Sequence, residues 1–175
     1  MPASYTPKTR GDETLDKKTS SQTLDTNMSA ARATVGDVLA NKRGDLFWIN
    51  PQDTVAKAVE VLRDKGIGAL LVKNPQGDLV GILSERDIVR QLAKSGSVCL
   101  QHKVEDYMTR EVVTCVQDSN AEDALAKMTE GRFRHMPVVE NGVLIGIISL
   151  GDVVKAQLTE VAMEKSALEG MIMGH

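Results

Sequence analysis

The sequence predicts an α+β protein of two pseudo-symmetric β-α-β-β-α repeats packed on one another through their sheets. Three observations carry that expectation. Gly81-Ile-Leu-Ser-Glu-Arg-Asp87 and Gly146-Ile-Ile-Ser-Leu-Gly-Asp152 align without a gap, and the elements around them recur in one order, the mark of an internal duplication. Apolar residues at helical spacing, Val55, Ala58, Val59 and Leu62 and again Ala121, Ala124, Leu125 and Met128, precede each pair of short apolar runs. Asn141-Gly142, between the runs Met136–Val139 and Val143–Ile148, supplies the positive backbone angles of a two-residue hairpin turn. One repeat of roughly 60 residues has too small a core to stand comfortably alone, so two are expected to stack into one domain.

Each element has its own signal. Residues 1–30 are rich in Ser, Thr, Asp and Lys without apolar period, and predict a disordered tail; Met28 is an alternative start, which would leave the first 27 residues outside the native chain. The first repeat is expected over 33–97. Val35–Leu39 reads as a helical turn and Leu46–Ile49 as a short strand. Asp53 or Thr54 caps a helix that Gly66 ends. Ala69–Val72 is a buried strand, Asn74–Gly77 a turn and Leu79–Leu83 the next strand. Ser84-Glu-Arg-Asp87 opens a helix that carries Ile88, Val89 and Leu92 and stops near Gly96. The second repeat is expected over 102–158. Val104–Met108 echoes Val35–Leu39, Val112–Val116 is its first strand, Gly131 stops its helix, and the hairpin leads to Ser149 and Asp152. Residues 159–175 extend the last helix, with Leu158, Val161, Ala162, Leu168, Met171 and Ile172 in an apolar stripe, before Gly170 and Gly174 loosen its end. Such a stripe needs cover, from its own domain or from a second copy of the chain.

Composition removes several classes of function. Of 175 residues 42% are hydrophobic but only 3% aromatic, so the core is aliphatic, with eight methionines to fill it. A net charge of −3 argues against general nucleic-acid binding. Two cysteines, Cys99 and Cys115, without C-x-x-C spacing argue against a disulfide framework or a cysteine zinc site and fit a reducing cytoplasm. No stretch has the length of a membrane span or the character of a secretory signal. Neither a P-loop nor a dinucleotide fingerprint is present.

Chemistry concentrates at the second hairpin. Ser149 and Asp152 set a hydroxyl and a carboxylate beside the exposed amides of a helix start. Arg132, Arg134 and His135 enter the same hairpin from its other end, and the combination suggests a nucleotide pocket. The plainer reading of Ser149 and Asp152 is a capping box, and that of the basic run is a solvated face.

These residues resemble a tandem pair of CBS domains, the cystathionine-β-synthase-type or Bateman module, in an α/β-type CBS pair of the stand-alone bacterial kind. The resemblance covers about residues 33–158 and rests on the duplicated Gly-h-h-Ser-x-x-Asp, on Ile67-Gly-Ala-Leu-Leu-Val72 and on Arg134-His-Met-Pro-Val-Val139. It implies a regulatory, non-catalytic module, commonly dimeric, with a cleft for an adenosine-containing ligand: AMP foremost, with ADP, ATP, NAD(H) or S-adenosylmethionine as alternatives. In that frame Asp152 accepts both ribose hydroxyls, a match of two acceptor oxygens to a vicinal diol, and Ser149 holds ribose or phosphate. Arg134 and His135, and less directly Arg132, take phosphate, since a guanidinium fork meets two oxygens at once. Met136 and Pro137 lie against adenine, with Thr114 at the position that touches the base and Cys115 and Val116 offering backbone groups. The first repeat reads as a weaker second site of Trp48, Ile67, Gly68, Ala69, Ser84, Arg86 and Asp87. Its Ile67-Gly-Ala69 supplies no basic clamp, Trp48 replaces the residue matching Thr114 and either stacks on a base or fills the pocket, and Arg86 serves its own site or reaches across the pseudo-twofold axis. The expected partners are a small adenosine ligand, a second copy in a homodimer and an unidentified regulated protein; no nucleic acid, membrane, metal or catalytic residue is expected. The competing reading is a dimerising adaptor with a vestigial pocket. An enzyme ranks third, since Cys115 with His135 is a poor thiol–imidazole pair when the cysteine sits in a buried strand.

Overall fold

In the computed structural model, residues 32–42 and 44–173 are described; the expectations for residues 1–30, Gly174 and His175 lie outside them. Helices begin where a side chain meets their unpaired first-turn amides. Thr34 caps α1 (Val35–Ala40), Thr54 caps α2 (Val55–Lys65), Ser84 caps α3 (Glu85–Ser95) and Asn120 caps α4 (Ala121–Glu130). The last helix, α5, runs unbroken from Leu150 to Met173. In the first repeat β1 (Trp48–Ile49) pairs in parallel with β2 (Ala69–Lys73), which pairs antiparallel with β3 (Leu79–Ser84). In the second, β4 (His135–Glu140) pairs antiparallel with β5 (Val143–Ser149) through Asn141 and Gly142, at φ 50° and 78°. Both hairpins slip register at matching places, Val72/Lys73 and Val138/Val139, so the duplication extends to the bulges.

The expected strand Val112–Val116 is reduced to one residue. Cys115 alone bridges Val138, its amide donating to the Pro137 carbonyl at 3.1 Å and its carbonyl accepting from Val139 at 2.9 Å. Just upstream, Thr109 exchanges both backbone hydrogen bonds with Ile82 of the first repeat. A segment tied to one repeat at Thr109 and to the other at Cys115 has no length left to run along β4.

Each repeat's lead-in completes the other repeat. Val35 and Val38 are buried with Ala121, Ala124, Met128, Met136, Val138, Ile148 and Val153. Val104 and Met108 are buried with Ile49, Val55, Ala58, Leu62, Leu70, Val72, Leu83 and Ile88. Matching backbone ties hold the exchange: Val35 donates to Ser119 at 2.9 Å and Ala121 to Ala33 at 3.0 Å, while Val104 donates to Asp53 and Val55 to His102, both at 2.9 Å. The glycine that opens each duplicated motif is where the lead-in lands. A Cβ on Gly81 would stand 2.7 Å from the Met108 sulfur and 2.9 Å from the Thr109 carbonyl oxygen; one on Gly146 would stand 2.6 Å from a Leu39 methyl.

The two repeats leave their first helix differently. Ile67 donates back to Leu62, and Phe133 back to Met128, so the left-handed residue is Gly66 in one repeat and Arg132 in the other, at φ 63° and 55°. Gly131, expected as the stop, is instead right-handed at φ −77° and lies against the Phe133 ring, 2.4 Å from where a Cβ would sit. Val153 is buried and Leu150 and Ala156 pack on the second core, whereas Leu158, Val161, Met163, Leu168, Met171 and Ile172 are exposed. No helix among the described residues is long and apolar enough to cross a membrane.

Candidate functional site

Both Ser-x-x-Asp motifs fold as capping boxes, as the plainer reading of them requires. Ser84 donates its hydroxyl to Asp87 Oδ2 at 2.6 Å and its amide at 3.0 Å. Ser149 does the same to Asp152 Oδ2 at 2.7 and 2.8 Å. Capping uses one oxygen of each carboxylate, and among the described residues Oδ1 of each accepts no hydrogen bond.

A cleft of about 370 Å³ opens between the repeats, at the lower end of the range typical of small-molecule sites. Its first-repeat wall carries Gly68, Ser84, Glu85, Arg86, Asp87 and Arg90; its second-repeat wall carries Arg132, Phe133, Arg134 and His135, and the linking segment adds Thr109 and Glu111–Val113. The structure therefore opens the basic run onto the cleft at Asp87, although His135 also stands opposite Ser149, within reach of the Asp152 charge. The clamp that Ile67-Gly-Ala69 lacks within its own repeat stands on the facing one. Gly68 eases this approach: a Cβ there would lie 3.1 Å from His135 Cε1, close enough to make the ring give way slightly. Arg86 reaches across, donating from Nη1 to the Arg132 carbonyl at 2.8 Å. No salt bridge to Arg86, Arg90, Arg132 or Arg134 forms among the described residues. Four guanidiniums against Glu85, Asp87 and Glu111 leave the walls suited to an anion.

Asp152 lies outside that cleft. Lys42 Nζ sits 2.8 Å from its Oδ2 and donates also to the Ile147 carbonyl at 3.0 Å. Burial by itself raises the Asp152 carboxyl, but hydrogen bonds from Lys42 and from the Ser149 hydroxyl and amide, with the Lys42 charge, outweigh it and hold the group below its ordinary value. His135 pairs with Ser149 across the hairpin. Burial pushes its imidazole below the ordinary value, the Lys42 and Arg134 charges push it further, and Asp152 opposes them. At rest His135 is thus held towards its neutral form.

The remaining candidates scatter. Trp48 is 56% exposed and lines a separate groove with Asn50, Asp53, Lys57 and Asn74, with Lys73 Nζ 4.5 Å above its ring; it neither fills nor faces the cleft at Asp87. Ile67 packs on the first core, and Ala69 is buried opposite Ser84. Met136 is fully buried in the second core, Pro137 is buried with its carbonyl on Cys115, Thr114 is half-buried and Val116 exposed. Burial raises the Cys115 thiol despite the Lys127 charge, the reverse of what a nucleophile needs. Lys42, Arg90 and Glu111 were not singled out by sequence. Lys42 and Glu111 carry a signal only once Leu39 is set against Met108, which places the two three residues further on in matching lead-ins.

The comparisons with known proteins agree with this architecture. The CBS domain model matches residues 35–94 and 104–159. The chain is 36% identical over 149 residues to the mitochondrial CBS domain-containing protein CBSX3 of Arabidopsis thaliana, covering 81% of this chain and 72% of that one. Among solved structures, the CBS-domain containing protein ATU1752 from Agrobacterium tumefaciens matches with a TM-score of 0.70 at 43% identity, over 73% of this chain and 96% of that one. CBSX2 of Arabidopsis thaliana, in complex with AMP, matches at TM-score 0.58 and 34% identity, over 73% and 97%. Two repeats in register, exchanged lead-ins and two Ser-x-x-Asp helix starts are thus explained together: the chain belongs to the CBS-domain family, as a tandem pair.

Proposed function

We propose that the cleft at Asp87 binds an adenosine-containing regulatory ligand, AMP in the first place and ATP or NADH as alternatives. Asp87 and Ser84 receive the ribose, and Arg132, Arg134 and His135 receive phosphate. The observation that carries this reading is that Arg132 and Arg134, with no salt bridge to either among the described residues, face the Ser84–Asp87 acceptor across one cleft whose walls come from both repeats. The AMP complex of a protein 34% identical supports the ligand class. A ligand that spans both walls favours the arrangement of repeats in which they are apposed, by as much as it binds that arrangement better. The output is a conformational or oligomeric change read by a regulated protein, and no chemistry is done on the ligand. AMP or ATP would report energy state, NADH redox state.

Calorimetric titration of the full chain with AMP, ATP and NADH, repeated on Asp87→Ala and Arg134→Ala, tests the reading. Saturable binding lost in Asp87→Ala and weakened at least tenfold in Arg134→Ala is expected; a folded chain that binds none of the three rejects it. The adaptor reading draws on one observation of its own, the uncovered stripe of α5 from Leu158 to Ile172. A homodimer through that stripe predicts that Leu168→Glu with Ile172→Glu yields monomers in sedimentation.

A further inference from the structure

The two aspartates of the duplicated motif have different neighbours, and the difference lies in the lead-ins. Aligning Val35, Gly36 and Leu39 with Val104, Glu105 and Met108 sets Lys42 against Glu111. The alignment is spatial as well, since Leu39 lies on Gly146 where Met108 lies on Gly81. The carbonyls one residue beyond those glycines are both taken, Ile82 by the Thr109 amide at 2.9 Å and Ile147 by the Lys42 ammonium at 3.0 Å. Where Lys42 then reaches Asp152, Glu111 faces the cleft beside Asp87 and offers it no cation. The Lys42–Asp152 pair is 28% exposed on each side, sheltered enough for its charges to attract more strongly than a solvated surface pair.

We propose that Lys42 is a built-in occupant of the Asp152 side, and that the pair in consequence takes one adenosine ligand per chain, at Asp87. The residue at the lead-in position decides which aspartate is open: a lysine closes its aspartate, and a glutamate leaves it free. This rests on the adenosine reading of the cleft and deepens it by assigning stoichiometry and side. A ribose diol arriving at Asp152 must displace an ammonium ion from the same carboxylate; at Asp87 it meets only the capping hydrogen bonds.

The test is calorimetric titration of the full chain with AMP up to millimolar concentration, on the wild type, Asp87→Asn, Lys42→Ala and Lys42→Ala/Asp152→Asn, each checked for folding by circular dichroism. One equivalent in the wild type, its loss in Asp87→Asn, two equivalents in Lys42→Ala and a return to one in the double variant are expected. Two equivalents in the wild type, or one in Lys42→Ala, overturn the inference and leave the adenosine reading standing. One equivalent that survives Asp87→Asn, with the double variant binding none, assigns the ligand to Asp152 and overturns it as well. A folded wild type that binds none of AMP, ATP and NADH sinks the reading and the inference together.

Discussion

Replacing Arg132 with glycine should make the protein more stable and less able to bind an anion. Arg132 holds φ 55° at the exit of α4, where the first repeat uses Gly66 at φ 63°. A left-handed residue with a Cβ costs about 1–2 kcal/mol. Glycine removes that cost but adds unfolded-chain entropy worth about 0.5–1 kcal/mol. The balance is a gain of about 0.5–1 kcal/mol, which for a chain of this size is about 1–4 °C in Tm. The hydrogen bond from Arg86 goes to the backbone carbonyl of residue 132 and survives the change. Phosphate affinity should fall by about 1.5–3 kcal/mol, the usual worth of a hydrogen bond to a charged group, which is roughly 10- to 100-fold. Urea or thermal melts with and without AMP measure both effects, and Arg132→Ala separates them: it loses the guanidinium and keeps the strained backbone, so binding falls with no gain in stability. A glycine variant less stable than wild type, or one that binds AMP unchanged, refutes the strained-ligand account of Arg132.

Two other outcomes follow from packing and charge. Gly81→Ala forces a methyl against the Thr109 carbonyl at 2.9 Å, whereas Gly146→Ala meets only the end of the Leu39 side chain; overpacking of this kind costs about 1–3 kcal/mol, so Gly81→Ala should lose more stability in urea melts than Gly146→Ala. His135 takes up its proton less readily folded than unfolded, so the unfolded chain binds more protons as pH falls below the ordinary value of 6.5, and stability must fall with it until the folded imidazole also titrates. His135→Gln should flatten that slope in melts between pH 7.5 and 5.5, by about the histidine's own titration. A phosphate beside the ring reverses the bias, so near pH 6.5 the imidazole should take up a proton on AMP binding while the phosphate, ionising at about pH 6, releases part of its own; His135→Gln should therefore shift the buffer-dependent enthalpy towards proton release.

Much of the fold was legible because the signals are local. Helical stripes, the Asn141-Gly142 turn and the hydroxyl–carboxylate helix starts are set by neighbours three or four residues apart, and each stands where the sequence predicts it. The failures are equally physical. Val112–Val116 has the composition of a strand, but its two ends are tied to different repeats. Gly131 looked like the helix stop because glycine is the usual left-handed residue, yet contact with the Phe133 ring uses the glycine and passes the left-handed turn to Arg132. For the site, Ser84, Asp87, Ser149, Asp152 and the basic run were all identifiable by residue type. Their pairing was not.

By itself, then, the sequence determined two repeats, most of their element order and the Ser-x-x-Asp helix starts, since duplication, periodicity and capping are short-range facts. Tertiary structure alone decided that the basic run of one repeat faces the aspartate of the other, that each lead-in fills the opposite core, and that Lys42 crosses 110 positions of chain to Asp152. Nothing local constrains such contacts. They arise when two repeats of like topology pack on each other, where a lysine and a glutamate at matching positions suffice to make the two halves unequal.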